Sequence, residues 1–193
     1  MRKGAVQPIS AVMITLIMIG IVGSVYFWGV PLINKRQDIT VLRSSENFMR
    51  NLDSTIKNIA SQGGRDTISL NVPGVMKFDG EEFSLTLKTS GTIYATGGEL
   101  PLNEYGCSDE ERSLGTDSSE ILCVQSRDLG GVFETIYTLK YIPLKEGTIS
   151  SYNINIFTET SQLGSQDDMV IIERESVDGD NRDTTTNIKL TIS

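Results

Sequence analysis

Residues 9–33 read ISAVMITLIMIGIVGSVYFWGVPLI, a run with no charged side chain. About 20 such residues at a rise of 1.5 Å cross a hydrocarbon core, so the run predicts a membrane-spanning helix over 9–33. Tyr26, Phe27 and Trp28 stand near its C-terminal end, where amphipathic rings favour the interface, and Asn34, Lys35 and Arg36 close it. Pro31 removes one helix hydrogen bond and predicts a kink at the exit. Gly20, Gly23 and Ser24 make a small-residue face, suited to close helix contact and also ordinary in membrane helices.

Outward from this run the composition changes. The 193 residues carry a net charge of -8, and beyond the apolar run the chain is polar and rich in Thr, Ser and Gly. An acidic surface disfavours phosphate, so nucleic acid is not expected as a partner. The chain has no His, which removes the usual neutral-pH base, zinc ligand and triad member together. No G-x-S-x-G elbow or phosphate-binding glycine loop occurs. The sequence therefore predicts no enzyme, no catalytic residue, no metal site and no cofactor.

Before the run stands Met1-Arg2-Lys3-Gly4-Ala5-Val6-Gln7, a short basic leader joined to Gly. A secretory signal has a shorter apolar region and a small-x-small cleavage site, whereas this run is long and ends in Phe27 and Trp28. The arrangement resembles the class III signal peptide of type IV pilins and archaeal pilin-like proteins. That resemblance rests on Arg2, Lys3 and Gly4, and it implies cleavage after Gly4 by a prepilin-type peptidase, leaving a mature chain from Ala5. Bacterial pilins carry Glu at the fifth mature position; here it is Ile9, as fits the archaeal branch. The run from Tyr26 to Ile33 followed by Lys35, Arg36 and Gln37 is similar to archaeal pilin-like N-termini. The resemblance covers roughly the first 60 residues. It implies a structural subunit of a surface filament, anchored in lipid by its helix before assembly and bundled with other pilin-like subunits afterwards. The alternative is a non-polymerising single-pass ectodomain that binds a cell-envelope layer, like stator-type accessory proteins of archaeal motility filaments.

Beyond the span, Leu42, Ser45, Met49, Leu52, Ile56 and Ile59 recur at spacings of three and four, with Phe48 beside them. Arg43, Glu46, Arg50, Asp53, Lys57 and Asn58 are read as the solvent side, and Gly63-Gly64 as a stop signal. The stripe serves either packing on the following domain or a rod continuous with the span. Such a rod, residues 5–62 in all, would run about 80 Å from residue 9 to residue 61.

From residue 66 short β-branched runs replace the helical period, predicting an extracellular β domain over 66–193. Strands are expected near 67–72, 75–78, 82–88, 92–94, 121–125, 132–141, 151–157, 169–175 and 186–192. Phe83, Leu85 and Leu87 alternate with Glu82, Ser84, Thr86 and Lys88, and Asp79-Gly80 signals a hairpin. The expected fold class is α+β: a long N-terminal transmembrane helix followed by a mostly β, antiparallel, sandwich-like domain, with residues 1–4 as leader. The localisation that follows is single-pass in the cell membrane with the C-terminal domain outside.

Three further features draw notice. Cys107 and Cys123 are predicted to pair in an oxidising compartment, with two separate thiols as the alternative. The segment between them, with Asp109, Glu110, Glu111, Asp117 and Glu120, reads as a surface loop or as an adhesive, subunit-contacting tip. The run Asp178-Gly179-Asp180-Asn181-Arg182-Asp183 invites calcium, but Arg182, Asp183 and Lys189 stand where an EF-hand needs an oxygen donor, Gly and Glu. It is read as a hairpin turn.

Overall fold

The computed structural model describes residues 6–108, 111–147, 150–158, 162–180 and 182–193. One helical rod leads into two six-stranded sheets. The rod comprises α1 (Val6–Ser24), a π-helical turn (Val25–Gly29) and α2 (Val30–Gln62). Backbone angles stay helical through the junction, with φ -63° and ψ -44° at Ser24 and φ -62° and ψ -48° at Val30. Pro31 explains the wide turn: its ring would crowd the carbonyl four residues back, at Phe27, and it has no N–H to offer. Lengthening one turn to i→i+5 relieves that conflict without ending the helix. The expected disturbance at Pro31 is thus a bulge inside a continuous rod.

The strands are β1 (Arg65–Ser69), β2 (Val75–Phe78), β3 (Glu82–Thr89), β4 (Glu99–Pro101), β5 (Arg112–Ser113), β6 (Glu120–Asp128), β7 (Phe133–Tyr141), β8 (Leu144–Glu146), β9 (Ser150–Phe157), β10 (Gln162–Ser165), β11 (Met169–Gly179) and β12 (Asp183–Ile192). One sheet has the order β1-β11-β12-β9-β8-β5 and the other β10-β2-β3-β7-β6-β4. The second sheet is antiparallel throughout. The first is mixed, because β12 runs parallel to β9 and β5 parallel to β8. The expected antiparallel pairing therefore holds throughout the second sheet and for part of the first. Parallel neighbours need a long crossover, and between β9 and β12 the chain crosses to pair β10 with β2 before returning as β11.

Both sheets and α2 contribute to a single apolar core. Leu42, Met49, Leu52 and Ile56 from the helix pack with Phe83, Leu85, Tyr137 and Leu139 from one sheet and Val170, Ile172, Ile188 and Leu190 from the other. The alternation in β3 follows from the pleat: Phe83, Leu85, Leu87 and Thr89 are buried while their neighbours stay partly wet. The β2–β3 turn also follows its sequence. Asp79 Oδ1 accepts from the amides of Glu81 and Glu82, Gly80 takes φ 103°, and Phe78 stacks on Phe83 at 4.5 Å.

The expected strand at 92–94 does not form. Thr92 Oγ1 instead accepts from the Tyr94 amide and from Ser126 Oγ, which folds the segment into a local turn. The residues expected to extend the first strand, Leu70 to Val72, leave β1: Leu70 donates its amide to Asp168 O and Asn71 to Ser69 O. The helix ends at Gln62, and the Gly63 amide donates to Ile59 O at 2.8 Å.

Candidate functional site: the projecting helix and its seat

The apolar part of the rod touches none of the domain's core. From Val12 to Ile33 its large side chains are exposed, Ile17 at 59%, Phe27 at 83% and Trp28 at 82%. This is one helix long and apolar enough to cross a membrane. A helix satisfies its own backbone groups, which hydrocarbon demands, and two of its hydroxyls are satisfied within it too. Thr15 Oγ1 donates to Ala11 O at 2.5 Å and Ser24 Oγ to Gly20 O at 2.9 Å. A Cβ added at Gly20 or Gly23 would meet no atom within 4 Å, so the small-residue face is open.

The seat of the rod begins at Leu42. Every member of the predicted stripe is buried: Leu42, Ser45, Met49, Leu52, Ile56 and Ile59, with Phe48 alongside. Packing on the β domain is therefore what this stripe does. The residues read as its solvent side divide differently. Glu46, Asp53 and Lys57 are half-buried, because Tyr94 from the connection between β3 and β6, Tyr141 of β7 and Glu120 at the start of β6 meet them.

Two polar networks result. In the first, Glu46 accepts from Arg50 Nη2 at 2.8 Å and from Tyr94 OH at 3.0 Å. Tyr94 OH lies 3.0 Å from Tyr137 OH, which donates to Leu42 O at 2.8 Å, and Arg50 Nη2 reaches Leu102 O at 2.5 Å. Burial, with Glu46 nearby, pushes the Tyr94 phenol up to about 12. Burial and the Tyr94 oxygen raise Tyr137 further. In the second network Lys57 Nζ pairs with Asp53 at 3.0 Å and Glu120 at 2.5 Å, while Tyr141 OH donates to Asp53 at 2.8 Å. Burial raises the Asp53 carboxyl against the pull of Lys57. Burial also opposes ionisation of Glu120, but hydrogen bonds from Lys57 and Ser118 outweigh it and lower that carboxyl. Burial and the Asp53 charge raise Tyr141 well above its ordinary value.

Cys107 and Cys123 are bonded to each other. Between them, the described residues 111–120 are anchored to the domain. Arg112 Nη1 donates to Ser118 O and Glu120 O at 2.6 Å each, its guanidinium covers the Tyr105 ring at 4.7 Å, and β5 joins the mixed sheet beside β8. Asp117 Oδ2 accepts from the Ser113 amide, and Glu111 pairs with Lys145 at 2.6 Å. Asp109 and Glu110 lie outside the described residues.

The run at Asp178 to Asp183 joins β11 to β12. Asp180 Oδ1 accepts from the amides of Arg182 at 2.8 Å and Asp183 at 3.1 Å, so its oxygen caps the turn. Asn181 lies outside the described residues. Among the described residues no three His, Cys, Asp or Glu side chains converge on one point. The residues of the expected processing site, Arg2, Lys3, Gly4 and Ala5, also lie outside the described residues. Comparison of the chain with protein-family models, with curated proteins and with solved structures finds no match.

Proposed function

We propose that the chain is a type IV pilin-like structural subunit of an archaeal surface filament, with no enzymatic activity. One observation carries the reading: a single rod belongs to two environments. Residues 42–60 complete the core of the β domain, while the large apolar side chains from Val12 to Ile33 stay exposed outside it. A helix exposing that much apolar surface needs lipid or other helices around it. Lipid surrounds it before assembly, and the same helices of neighbouring subunits surround it afterwards. The open face at Gly20, Gly23 and Ser24 suits the second state, since small residues let helix backbones approach.

In this reading a prepilin-type peptidase removes residues 1–4 and leaves Ala5 as the mature N-terminus. The β domain, its two sheets facing each other as a sandwich across the core, then lies outside the cell for adhesion or subunit contact. The partners are membrane lipid and pilin-like subunits.

Ile17→Arg tests the mechanism. An Arg at the middle of the span costs about 3 kcal/mol on insertion scales, and the subunit should vanish from sheared surface filaments. Normal filaments from that variant would refute the shared-core mechanism. N-terminal sequencing of the native protein should begin at Ala5. Wild-type protein retained in the membrane fraction and absent from sheared filaments would establish instead the non-polymerising, envelope-binding ectodomain.

A further inference from the structure

The hairpin between β6 and β7 ends in Leu129-Gly130-Gly131-Val132. Leu129 and Val132 face each other as the last cross-strand pair, the Leu129 amide donating to Val132 O at 2.8 Å. They are 55% and 43% exposed, an unusual use of two aliphatic side chains at a turn that needs neither. Gly130 and Gly131 take φ 88° and 97°, the pair of left-handed positions that a tight two-residue turn demands.

Where this tip lies along the rod follows from two contacts. Tyr137 reaches Leu42 and Glu46 lies just beyond it through Tyr94, while Tyr141 reaches Asp53. Strand β7 and helix α2 therefore advance together, about 3.3 Å per strand residue against 1.5 Å per helix residue. Val132 stands five residues before Tyr137, about 16 Å back along the strand, which corresponds to about eleven residues of helix. That puts Leu129 and Val132 level with residues 31–35 and the two glycines beyond them towards Trp28. Two further observations agree: Phe133 borders one cleft with Val30, Pro31 and Asn34, and Ser90 Oγ donates to Asp38 Oδ2 at 2.6 Å.

We infer that the Leu129–Val132 tip is a second membrane contact, seated in the lipid interface beside the point where the helix leaves the bilayer. The inference rests on the membrane reading of the helix and adds to it a fixed orientation of the domain. Its occupant is a lipid surface, because the tip carries two exposed aliphatic side chains and lies level with the end of the apolar rod, at the boundary that Trp28 and Lys35 mark. Three of its amides are already satisfied: that of Leu129 by Val132 O, and those of Gly130 and Gly131 by Asp128 Oδ1 at 2.8 and 3.2 Å. A turn whose amides are occupied within itself tolerates the lipid boundary. Arg127 stands one pleat above Leu129 on the same face, beside Glu134, which in turn neighbours Lys88. Two cations there, with Lys35 and Arg36 on the rod, suit the phosphate level of anionic lipid.

The native cysteines are bonded to each other, so a cysteine placed at 129 is the only free thiol of the full chain. Spin-labelled Leu129→Cys, reconstituted in vesicles of equal parts phosphatidylcholine and phosphatidylglycerol, is compared with labelled Val22→Cys and Val177→Cys. Val22 lies in the rod. Val177 lies on β11 beyond Arg174, which reaches Ala60 at the far end of the helix. The expected result is accessibility to oxygen over a water-soluble nickel chelate several-fold greater at 129 than at 177 and below that at 22, as fits an interfacial site against a mid-bilayer one. Labelled Val132→Cys gives the same answer if Leu129→Cys folds poorly. Water-like values at 129 and 132 with a lipid-buried label at 22 overturn the inference and leave the membrane helix standing. A water-like label at 22 overturns both. Labels at 129 that are aqueous in vesicles and immobilised only in sheared filaments would assign the tip to a second copy of the chain and overturn the lipid contact.

Discussion

Tyr137, in the middle of β7, donates its phenolic hydrogen to the main-chain carbonyl of Leu42 across 2.8 Å. The bond is buried and joins residues 95 apart in the chain, at the turn of helix where the rod enters the domain. It ties the first buried turn of α2 to the central pair of strands.

Tyr137→Phe keeps the ring and removes only that hydroxyl. Loss of one buried hydrogen bond costs about 1 to 2 kcal/mol, and at this chain length Tm should fall by about 2 to 8 °C. Thermal melts in detergent check this, and an unchanged Tm would mean that water replaces the hydroxyl without cost.

The tyrosine cluster also sets the alkaline limit. The Tyr94 phenol is raised from 10.0 to about 12 in the folded chain, so the unfolded chain releases that proton first. The stability that Tyr94 contributes is whole below pH 10.0 and is lost as pH rises towards and past 12. In a phenolate absorbance titration Tyr94, Tyr137 and Tyr141 should stay silent through pH 10.0 and appear together with loss of near-ultraviolet circular dichroism. Phenolate signals from all three before any loss of structure would contradict the burial.

Lys57 neutralises two carboxylates at once. Lys57→Met should destabilise the domain by about 1 to 3 kcal/mol near neutral pH, because half-buried Asp53 and buried Glu120 then face each other without a cation. The Glu120 carboxyl is lowered from 4.5, so what it contributes in the wild type is present above that value and lost as pH falls. The Asp53 carboxyl is raised from 3.8 and works in the opposite sense, weakening the fold once it ionises. When both are protonated the lysine has nothing to neutralise, and the deficit of Lys57→Met should close. Denaturant titrations on either side of the carboxylate range measure the difference; a deficit independent of pH would place the cost in packing.

Gly63 ends α2 with φ 81° and ψ -176°, a region that L side chains scarcely enter. A Cβ there would also strike the guanidinium of Arg174, whose Nη1 donates to Ala60 O. Gly63→Ala should cost about 1 to 3 kcal/mol. Gly64→Ala, with φ 99° but open space around its Cβ, should cost less. Equal losses in the two variants would show that backbone strain alone decides.

Several of these features were legible in the sequence because they obey a local period. The stripe from Leu42 to Ile59 repeats every three or four residues, and Phe83, Leu85 and Leu87 every two; each period needs one solvent-free face and found one. The short strands β4, β5, β8 and β10 carry no such signal. Glu99–Pro101 and Gln162–Ser165 become strands only because β6 and β2 offer them an edge. The parallel pairing of β9 with β12 is likewise a decision of topology. Glu46, Asp53 and Lys57 looked like solvent-facing charges because no local pattern announces that Tyr94, Tyr141 and Glu120 will cover them. In the projecting rod, length and absence of charge were read directly, whereas Pro31 gave notice of a disturbance without specifying a π turn.

That turn sets a phase. A π-helical turn holds one more residue than an α turn, so every side chain before Val25 is displaced around the axis by about 100° from where an uninterrupted α-helix would carry it. The small-residue face at Gly20 and Gly23 and the buried face at Leu42 and Met49 are thereby timed to each other by one surplus residue. The bulge acts as a fixed rotary offset between the face the rod shows to its surroundings and the face it gives to its own domain.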